Sequence, residues 1–195
     1  MALLRQISAA DEAYVIEGDG LMLRLPRPGD YTEWASLRAR SRAFLTPWEP
    51  TWPADDLTRA AYRRRLRRYA RDVRDDQAYP FFIFAARTGH LVGGCTLSNV
   101  RRGVAQTCSL GYWVGEPYRR RGYTSAAVRA LIPFVFDRLR LHRLEAACLP
   151  SNEASRALLA SCGFTQEGYA RSYLRIDGAW RDHLLFAILA GDPRP

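Results

Sequence analysis

The amino-acid sequence predicts a mixed α/β fold, and two patterns indicate it. Three segments of strand length, residues 81–85, 91–100 and 107–114, follow one another across short turns, which is typical of an antiparallel meander. After residue 114 the sequence alternates between helical and strand patterns. A meander followed by alternating helices and strands indicates a mixed sheet covered by helices.

Length and composition fit one globular domain. The chain has 195 residues, of which 48% are hydrophobic and 25% charged, and it contains no internal repeat or low-complexity linker. We therefore expect a single domain over residues 1–195, with an N-terminal extension (1–20) and a core (21–190). The sequence has no apolar run of about 18 residues and no long apolar stretch near its start. We expect no membrane span, no signal peptide and a cytoplasmic location.

Arginine alone carries the positive charge. All 29 basic residues are arginine, and the formal net charge is +9. The lack of lysine excludes reactions that need an amine side chain, such as Schiff-base formation, and it excludes the lysine of Walker-type phosphate sites. The surplus of charge favours an anionic partner, either nucleic acid or a polyphosphate cofactor. Two arginine clusters stand out, at residues 63–74 and 119–121.

The segment before the meander is predicted to hold one strand, two helices and a loop. Residues 21–25 alternate in the manner of a strand, and Asp30 stands in the position of an N-cap for the next helix. Residues 46–53, with three prolines and two tryptophans, predict an ordered but irregular loop. Residues 57–74 predict an arginine-rich amphipathic helix. Its basic side is interpreted as a solvated face, with weak contact to the ribosome or RNA as the alternative.

The segment after the meander is predicted to form two helices, a strand and a closing hairpin. A glycine-containing turn (115–124) leads into a long helix, and a strand (142–149) and a short helix (152–161) follow. The last two strands are predicted to pair around Asp177-Gly178, because this dipeptide favours the tight turn of a hairpin.

The cysteines and histidines form no recognisable ligand pattern. The four cysteines lack CxxC spacing, and the three histidines lack the spacing of metal ligands. We therefore expect reduced, buried cysteines, structural or surface histidines, and no metal site.

The turn at residues 115–124 has the chemistry of a phosphate site. It lies between a predicted strand and a predicted helix, and the start of such a helix presents free backbone N–H groups and the positive end of the helix dipole. Gly122 lets a ligand approach the main chain, and the arginines at 119–121 add charge. The spacing matches neither GxGxxG nor GxxxxGK, so it predicts a diphosphate cradle of another kind. The alternative is an exposed loop that only begins a helix.

The segment Arg119-Arg120-Arg121-Gly122-Tyr123-Thr124 resembles the acetyl-CoA motif of the GCN-related N-acetyltransferase (GNAT) superfamily. That motif is Arg/Gln-x-x-Gly-x-Gly/Ala, and Thr124 departs from it at the last position. Residues 152–155 (Asn-Glu-Ala-Ser) and 162–164 (Cys-Gly-Phe) are similar to the Asn-x-x-Ser and Gly-Phe segments of the superfamily. The resemblance extends over residues 21–189.

Three further segments resemble one branch of the superfamily. They are residues 47–50 (Pro-Trp-Glu-Pro), 111–115 (Gly-Tyr-Trp-Val-Gly) and 167–171 (Glu-Gly-Tyr-Ala-Arg). Together they are similar to the RimJ/RimL branch, whose members acetylate the N-terminal alanine of ribosomal proteins.

The resemblance implies a fold, a cofactor and a set of site residues. It implies a GNAT-like fold with a twisted, mostly antiparallel sheet of about seven strands flanked by helices, and acetyl-CoA as the cofactor. Ser155 would lie near the thioester sulfur and protonate the leaving thiolate. The implied cofactor-binding residues, for the pyrophosphate and the pantetheine arm, are Trp113, Val114, Arg119, Arg120, Arg121, Gly122, Tyr123, Thr124 and Asn152.

The residue that accepts the amine proton is less obvious. Many members of the superfamily carry a tyrosine where this chain has Leu159, and some RimL-like relatives carry a glutamate where it has Leu174. A free α-amine has a pKa of about 7.8, so on the order of a tenth of it is neutral at pH 7 and it needs little help from a base. Glu116 is our candidate for relaying the proton through water, and Glu145 is the alternative. Four aromatic residues are candidates for the wall of an acceptor channel or for the core, namely Trp48, Trp52, Tyr112 and Tyr173, and the channel is favoured only for the loop around Trp48.

These features favour an acetyl-CoA-dependent N-acetyltransferase that acts on the N-terminal α-amine, with alanine first, of a ribosomal or other protein. Two alternatives stay open. One is the same chemistry on a small amine, such as an antibiotic, a polyamine or an amino acid. The other is a non-catalytic acyl-CoA-binding or ribosome-associated module that works through the arginine-rich helix. The sequence does not indicate the oligomeric state.

Overall fold

A computed structural model describes residues 14–194 and confirms the mixed α/β fold. Its strands are β1 (Ile16–Gly18), β2 (Leu21–Arg24), β3 (Tyr79–Ala85), β4 (Leu91–Arg101), β5 (Thr107–Val114), β6 (Arg143–Cys148), β7 (Thr165–Ile176) and β8 (Ala179–Leu189). Its α-helices are α1 (Tyr31–Arg40), α2 (Arg42–Leu45), α3 (Arg59–Arg74), α4 (Tyr123–Pro133) and α5 (Glu153–Ser161). One-turn 3₁₀ segments occur at Pro28–Asp30, Thr46–Trp48 and Glu116–Tyr118.

The strands of this region form one eight-stranded sheet in the order β1-β2-β3-β4-β5-β6-β8-β7. The predicted meander β3-β4-β5 is confirmed as antiparallel. β5 and β6 are parallel and are joined through α4, because a parallel pair needs a long crossover. The short strand β1 pairs with β2 at the edge of the sheet, where the sequence pattern predicted no strand.

Helices cover both faces of the sheet, and β3 contributes to two cores. On one face Leu131 of α4 packs in a cluster that includes Ile83. On the other face Leu37 of α1 and Tyr62 of α3 pack in a cluster that includes Phe84. Successive residues of a strand point to opposite faces, so a strand covered on both sides needs an unbroken apolar run. This explains why β3 is apolar throughout.

Asp30 precedes α1 as predicted, but its carboxylate does not cap that helix. It instead accepts hydrogen bonds from Arg24 Nη1 (2.8 Å), Arg24 Nη2 (2.7 Å) and the Arg27 N–H (2.7 Å). The predicted cap is therefore wrong in its chemistry. A bidentate bond from a guanidinium is stronger than a neutral bond to a helix N–H, and it holds the carboxylate on the β2 side.

The long helix after the glycine turn changes its winding at Pro133. α4 ends there, and the next turn, Phe134–Arg138, is a π-helix closed by the Leu139 N–H to the Phe134 carbonyl oxygen (2.9 Å). Proline has no N–H to donate and disturbs the α-helical ladder at its position. The chain therefore leaves the helix through a wider turn before β6.

The closing hairpin β7-β8 is confirmed, and its tip contacts the proline- and tryptophan-rich loop. Asp177 and Gly178 both have positive φ, at 45° and 77°, which is the conformation of a type I′ turn. The Asp177 N–H donates to the Glu49 carbonyl oxygen (2.9 Å). The hairpin therefore fastens the 46–53 loop at one end of the sheet.

The four cysteines are buried, as predicted. Within residues 14–194, no cluster of three or more histidine, cysteine, aspartate or glutamate side chains is placed to hold a metal ion. No helix in this part of the chain combines the length and the apolar character that crossing a bilayer requires.

Candidate active site

The strands β5 and β6 separate towards their carboxyl ends and leave a gap in the sheet. They pair over Thr107–Leu110 and Arg143–Ala146 only, although β5 continues to Val114 and β6 to Cys148. The register shows that the last four residues of β5 have β4 as their neighbour on one side alone. The end of β5 is therefore an exposed strand edge inside the sheet.

Polar main-chain groups of β5 face this gap. The Gly115 N–H donates to the Val92 carbonyl oxygen (2.8 Å), on the β4 side. Because alternate residues of an antiparallel strand bond the same neighbour, the N–H groups of Val114 and Tyr112 face the opposite side, which is the gap. An extended ligand that contains amides can bind such an edge as an added strand.

The turn after β5 presents a row of N–H groups at the start of α4. Gly122 is the N-cap, with φ of 79°, and Arg120 also has a positive φ, 57°. The first bond of the helix runs from the Ala126 N–H to the Gly122 carbonyl oxygen (3.0 Å). Among residues 14–194, no acceptor bonds the N–H groups of residues 121–124. A Cβ atom at Gly122 would meet nothing within 4 Å, so the row is open to a ligand.

The arginines around this row give it a positive potential. Arg119, Arg120 and Arg121 are all exposed. Arg119 Nη1 lies 3.9 Å from Glu116 Oε1, and the Arg121 guanidinium lies 5.8 Å from the centre of the Tyr118 ring. Unpaired N–H groups, the helix dipole and guanidinium groups all favour an anion at the same place. A diphosphate matches this arrangement.

The first turn of α5 brings polar side chains to the other side of the gap. Asn152 is the N-cap, and its Oδ1 accepts a hydrogen bond from the Ser155 N–H (3.1 Å). Within the described part of the chain, its Nδ2 has no acceptor. Ser155 Oγ lies 2.6 Å from the hydroxyl oxygen of Tyr112, which projects from the unpaired end of β5. The Tyr112–Ser155 hydrogen bond therefore spans from the strand to the helix.

Tyr112 keeps its proton at neutral pH. Burial raises the pKa of Tyr112 well above its usual value, and the hydrogen bond with Ser155 only partly opposes this shift. A protonated phenol can donate to the Ser155 hydroxyl oxygen, which leaves the serine proton free to point elsewhere.

The structure places both predicted proton-accepting carboxylates beside arginine. Glu116 is partly exposed next to Arg119, and its N–H donates to Ser41 Oγ (2.9 Å). Glu145 lies in the paired part of β6, where it accepts hydrogen bonds from Arg143 (2.9 Å) and Arg101 (3.3 Å). Neither carboxylate is hydrogen-bonded to the Tyr112–Ser155 pair.

The two leucines at the superfamily's acid and base positions have different surroundings. Leu159, on the inner side of α5, is fully buried in the core cluster. Leu174 is 41% exposed on β7. Leu159 therefore packs the helix against the sheet, and Leu174 faces solvent.

On the opposite face of the sheet, the 46–53 loop is held by an ion pair. Arg38 of α1 donates through Nη1 and Nη2 to the two carboxylate oxygens of Glu49 (2.7 and 2.6 Å). Trp52 donates its indole N–H to Glu49 (2.7 Å) and stacks on the Arg38 guanidinium at 3.9 Å. Trp48, the predicted channel wall, is 36% exposed. The loop is thus ordered by polar contacts rather than by its prolines alone.

A comparison with protein-family models identifies the fold. Residues 20–165 match the model described as an acetyltransferase (GNAT) domain, which is about three quarters of the chain. The chain belongs to the GNAT acetyltransferase family. It is an N-acetyltransferase, and its acyl donor is acetyl-CoA.

Relatives of this GNAT acetyltransferase cover nearly the whole chain. The [ribosomal protein uS5]-alanine N-acetyltransferase of Escherichia coli (strain K12) is 35% identical over 177 residues, which cover 91% of each protein. The crystal structure of the ribosomal-protein-S5-alanine acetyltransferase from Vibrio fischeri matches with a TM-score of 0.85 and 31% identity, over 93% of this chain and 99% of that one. Mycobacterium smegmatis RimJ, solved in complex with CoA-disulfide, matches with a TM-score of 0.84 and 34% identity, over 90% and 86%.

The site of this GNAT acetyltransferase fits acetyl-CoA in three places. The open N–H row and the exposed arginines match the diphosphate. The free edge of β5 and the unbonded Nδ2 of Asn152 match the amides of the pantetheine arm. The Tyr112–Ser155 pair joins the unpaired end of β5 to the first turn of α5 and offers hydroxyl groups to a thioester bound beside the gap.

Two groups of the site were missed by the sequence analysis. Tyr112 was considered as part of a family segment and as a possible wall of the acceptor channel, but not as the partner of Ser155, which lies 43 positions away. Arg38 had no local signal, because its partner Glu49 belongs to another element. The alternation of β5 could have indicated that Tyr112 and Trp113 face opposite sides of the sheet.

Proposed function

We propose that this enzyme transfers the acetyl group of acetyl-CoA to the N-terminal α-amine of a ribosomal protein, with alanine as the first residue. The relatives from Escherichia coli and Vibrio fischeri carry this activity in their names, and they match over 91% and 93% of this chain. The observation that carries the transfer chemistry is the row of open N–H groups at residues 121–124 beside the β5–β6 gap. We propose that the chain acts as one catalytic domain (1–195) in the cytoplasm.

The proposed binding of the donor follows the three parts of the site. The main chain of Arg121–Thr124, with Arg119 and Arg120 beside it, holds the pyrophosphate by N–H and guanidinium donors. The main chain of Val114, with Asn152 Nδ2 opposite, binds the pantetheine arm at the strand edge. The main chain of Trp113, predicted for the same role, faces β4 instead, because alternate residues of β5 bond opposite sides. Thr124 contributes its main-chain N–H, so its side chain does not disturb this role.

The proposed proton donor is Ser155. Its hydroxyl gives a proton to the sulfur that leaves when the acetyl group moves to the amine. The Tyr112 hydroxyl, which stays protonated, donates its 2.6 Å hydrogen bond to the serine oxygen and stabilises the negative charge that develops there until solvent returns a proton. The acetyl-CoA thioester supplies the activated acyl group. The Val114 N–H, which faces the gap, polarises its carbonyl, and this needs no particular side chain.

The α-amine of the acceptor needs little help from a base to lose its proton. About a tenth of an α-amine of pKa ~7.8 is neutral at pH 7, whereas a lysine amine of pKa ~10.4 is neutral in less than about one part in a thousand. Glu116 remains our proposed relay for the amine proton through water. Its partly exposed side chain beside Arg119 is in contact with solvent, which gives the relayed proton a path away from the site.

Acceptor profiling tests the proposed function. We expect an alanine-initiated peptide from a ribosomal protein to release coenzyme A thiol and to gain one acetyl group at its N-terminus, as located by mass spectrometry. The matched control is the same peptide with a blocked N-terminus and a free lysine, which we expect to stay unmodified. Faster acetylation of polyamines or free amino acids than of the peptide would favour a small-amine enzyme. No turnover with any acceptor would favour a non-catalytic module.

We also propose a contact between α3 and ribosomal RNA. Arg63, Arg67 and Arg71 recur every four residues, so they form an exposed stripe with a rise of about 6 Å between neighbours. Within residues 14–194 these three side chains have no carboxylate partner, whereas other arginines of the helix are ion-paired, namely Arg64, Arg65, Arg68 and Arg74. A row of unpaired guanidinium groups is complementary to a phosphate backbone.

Replacing the three stripe arginines by alanine is expected to weaken RNA binding and its salt dependence. Each lost phosphate contact lowers the slope of log affinity against log salt by roughly one unit, so the triple variant is expected to lose about two to three units. The measurement is a salt titration of binding to ribosomal RNA. The control replaces Arg64, Arg68 and Arg74 by alanine, which removes the same charge from ion-paired positions. Equal losses in both variants would contradict a role for the stripe.

A further inference from the structure

A cavity of about 190 Å³ lies between α1, α3 and the strands β3, β4 and β5. It has room for several water molecules or for a small ligand group. Its wall is partly aromatic and partly charged. Its lining includes Arg38, Glu49, Arg65, Thr96 and Trp113.

Arg38 is a buried side chain with one unused donor beside this cavity. The residue is 7% exposed, and its guanidinium lies between Trp52 and Trp113, at 3.9 and 4.9 Å from their ring centres. Nη1 and Nη2 are both bonded to Glu49. Nε has no hydrogen-bond partner among the described residues. A buried N–H without an acceptor is destabilising, so an atom inside the cavity must accept from it, namely a water oxygen in the free protein or a ligand oxygen in a complex.

The cavity adjoins the reaction site through β5. Trp113 lines the cavity, and Tyr112, the preceding residue, bonds Ser155 on the other face of the sheet. Both residues lie in the stretch of β5 that β6 leaves unpaired. A ligand in the cavity therefore lies on one face of this strand end, and a ligand along the gap lies at its free edge.

We propose that this cavity binds the first residues of the acceptor polypeptide, and that Arg38 Nε donates to one of its main-chain carbonyl oxygens. Glu49 and Trp52 act as positioning residues that hold the guanidinium in place. The inference rests on the proposed function, since it requires a polypeptide acceptor. A polyamine offers no carbonyl oxygen to Arg38 Nε, so it cannot accept this hydrogen bond.

The change Arg38→Lys tests the donor. Lysine keeps the positive charge for Glu49 but has no Nε–H donor at that position. We expect the variant to bind an alanine-initiated tetrapeptide at least about tenfold more weakly, measured by calorimetry without acetyl-CoA, and to keep the wild-type affinity for acetyl-CoA. The control is Arg40→Lys, the same change at an exposed position of α1, and we expect wild-type binding of both ligands.

A second variant tests the role of the cavity and leaves Arg38 unchanged. Thr96→Leu adds apolar volume at the cavity wall, and we expect weaker peptide binding with unchanged acetyl-CoA binding. Wild-type peptide affinity in both variants would overturn the inference even if the peptide is acetylated. Peptide binding that depends on Arg38 but occurs without turnover would support the cavity and refute the proposed function. Absence of peptide binding by the wild-type protein would overturn the inference.

Discussion

The variant Ser155→Ala is expected to lower kcat by about two orders of magnitude, with little change in the KM of acetyl-CoA. The reason is that a positioned proton donor typically contributes 10²–10⁴-fold to a rate, and we assign that role to the Ser155 hydroxyl. Alanine favours helix, and the cap uses the main-chain N–H of residue 155, so α5 is retained. The measurement is steady-state kinetics with an alanine-initiated peptide.

The control for this variant lies on the same helix. Ser161→Ala removes a hydroxyl that donates to the Leu158 carbonyl oxygen, away from the gap. We expect its kcat to stay within about twofold of wild type. A comparable fall of kcat in both variants would mean that loss of a helix hydroxyl, rather than loss of a proton donor, explains the effect.

The role of Tyr112 can be separated by combining variants. Tyr112→Phe removes only the hydroxyl that bonds Ser155 and is expected to lower kcat less than Ser155→Ala does. If Tyr112 acts through Ser155, the double variant should be no slower than Ser155→Ala alone, because groups that act as a unit are not additive. Additive losses would show that Tyr112 acts independently of the serine.

The variant Gly122→Val is expected to raise the KM of acetyl-CoA by about tenfold or more. Gly122 has φ of 79°, a conformation that costs an L-residue about 1–2 kcal/mol, and valine is branched at Cβ. The open space around Gly122 lets the variant fold with a relaxed turn. In that turn the row of N–H groups is no longer formed. Acetyl-CoA must therefore restore the strained turn in order to bind. Since about 1.4 kcal/mol is a factor of ten, the strain predicts the size of the effect.

The matched control is Gly103→Val in the turn between β4 and β5. Gly103 has φ of 61° and equally open surroundings, but it lies outside the cofactor loop. We expect a similar loss of thermal stability in both variants and a change of acetyl-CoA affinity only at Gly122. An unchanged affinity in Gly122→Val would refute the assignment of the main-chain donors at residues 121–124 to the diphosphate.

Local signals in the sequence predicted most of the fold. The apolar run of β3 and the Asp177-Gly178 turn depend on nearest neighbours, so they could be predicted from the sequence and are confirmed. The glycine turn before α4 was predicted for the same reason. The hydrogen-bond partner predicted for Asp30 was wrong, because Arg24, which lies in another element, binds its carboxylate.

The geometry of the site depends on contacts between distant segments. The point at which β5 and β6 part is a matter of register, and residues 111–114 continue the same strand pattern as residues 107–110. The Tyr112–Ser155 and Arg38–Glu49 contacts each join two elements, so no regular spacing in the sequence predicts them. Composition could therefore indicate an anionic ligand, but not which side chains meet around it.

The opening between β5 and β6 has a consequence for the order of events. The donor, as proposed, lies along the edge of β5 and the acceptor lies on one face of it, so the two ligands occupy separate places. Both can be present together, and the acyl group can pass directly between them without an acylated enzyme. Spent coenzyme A can depart while the modified polypeptide is still in place. The geometry therefore imposes no obligatory order on the departure of the two products.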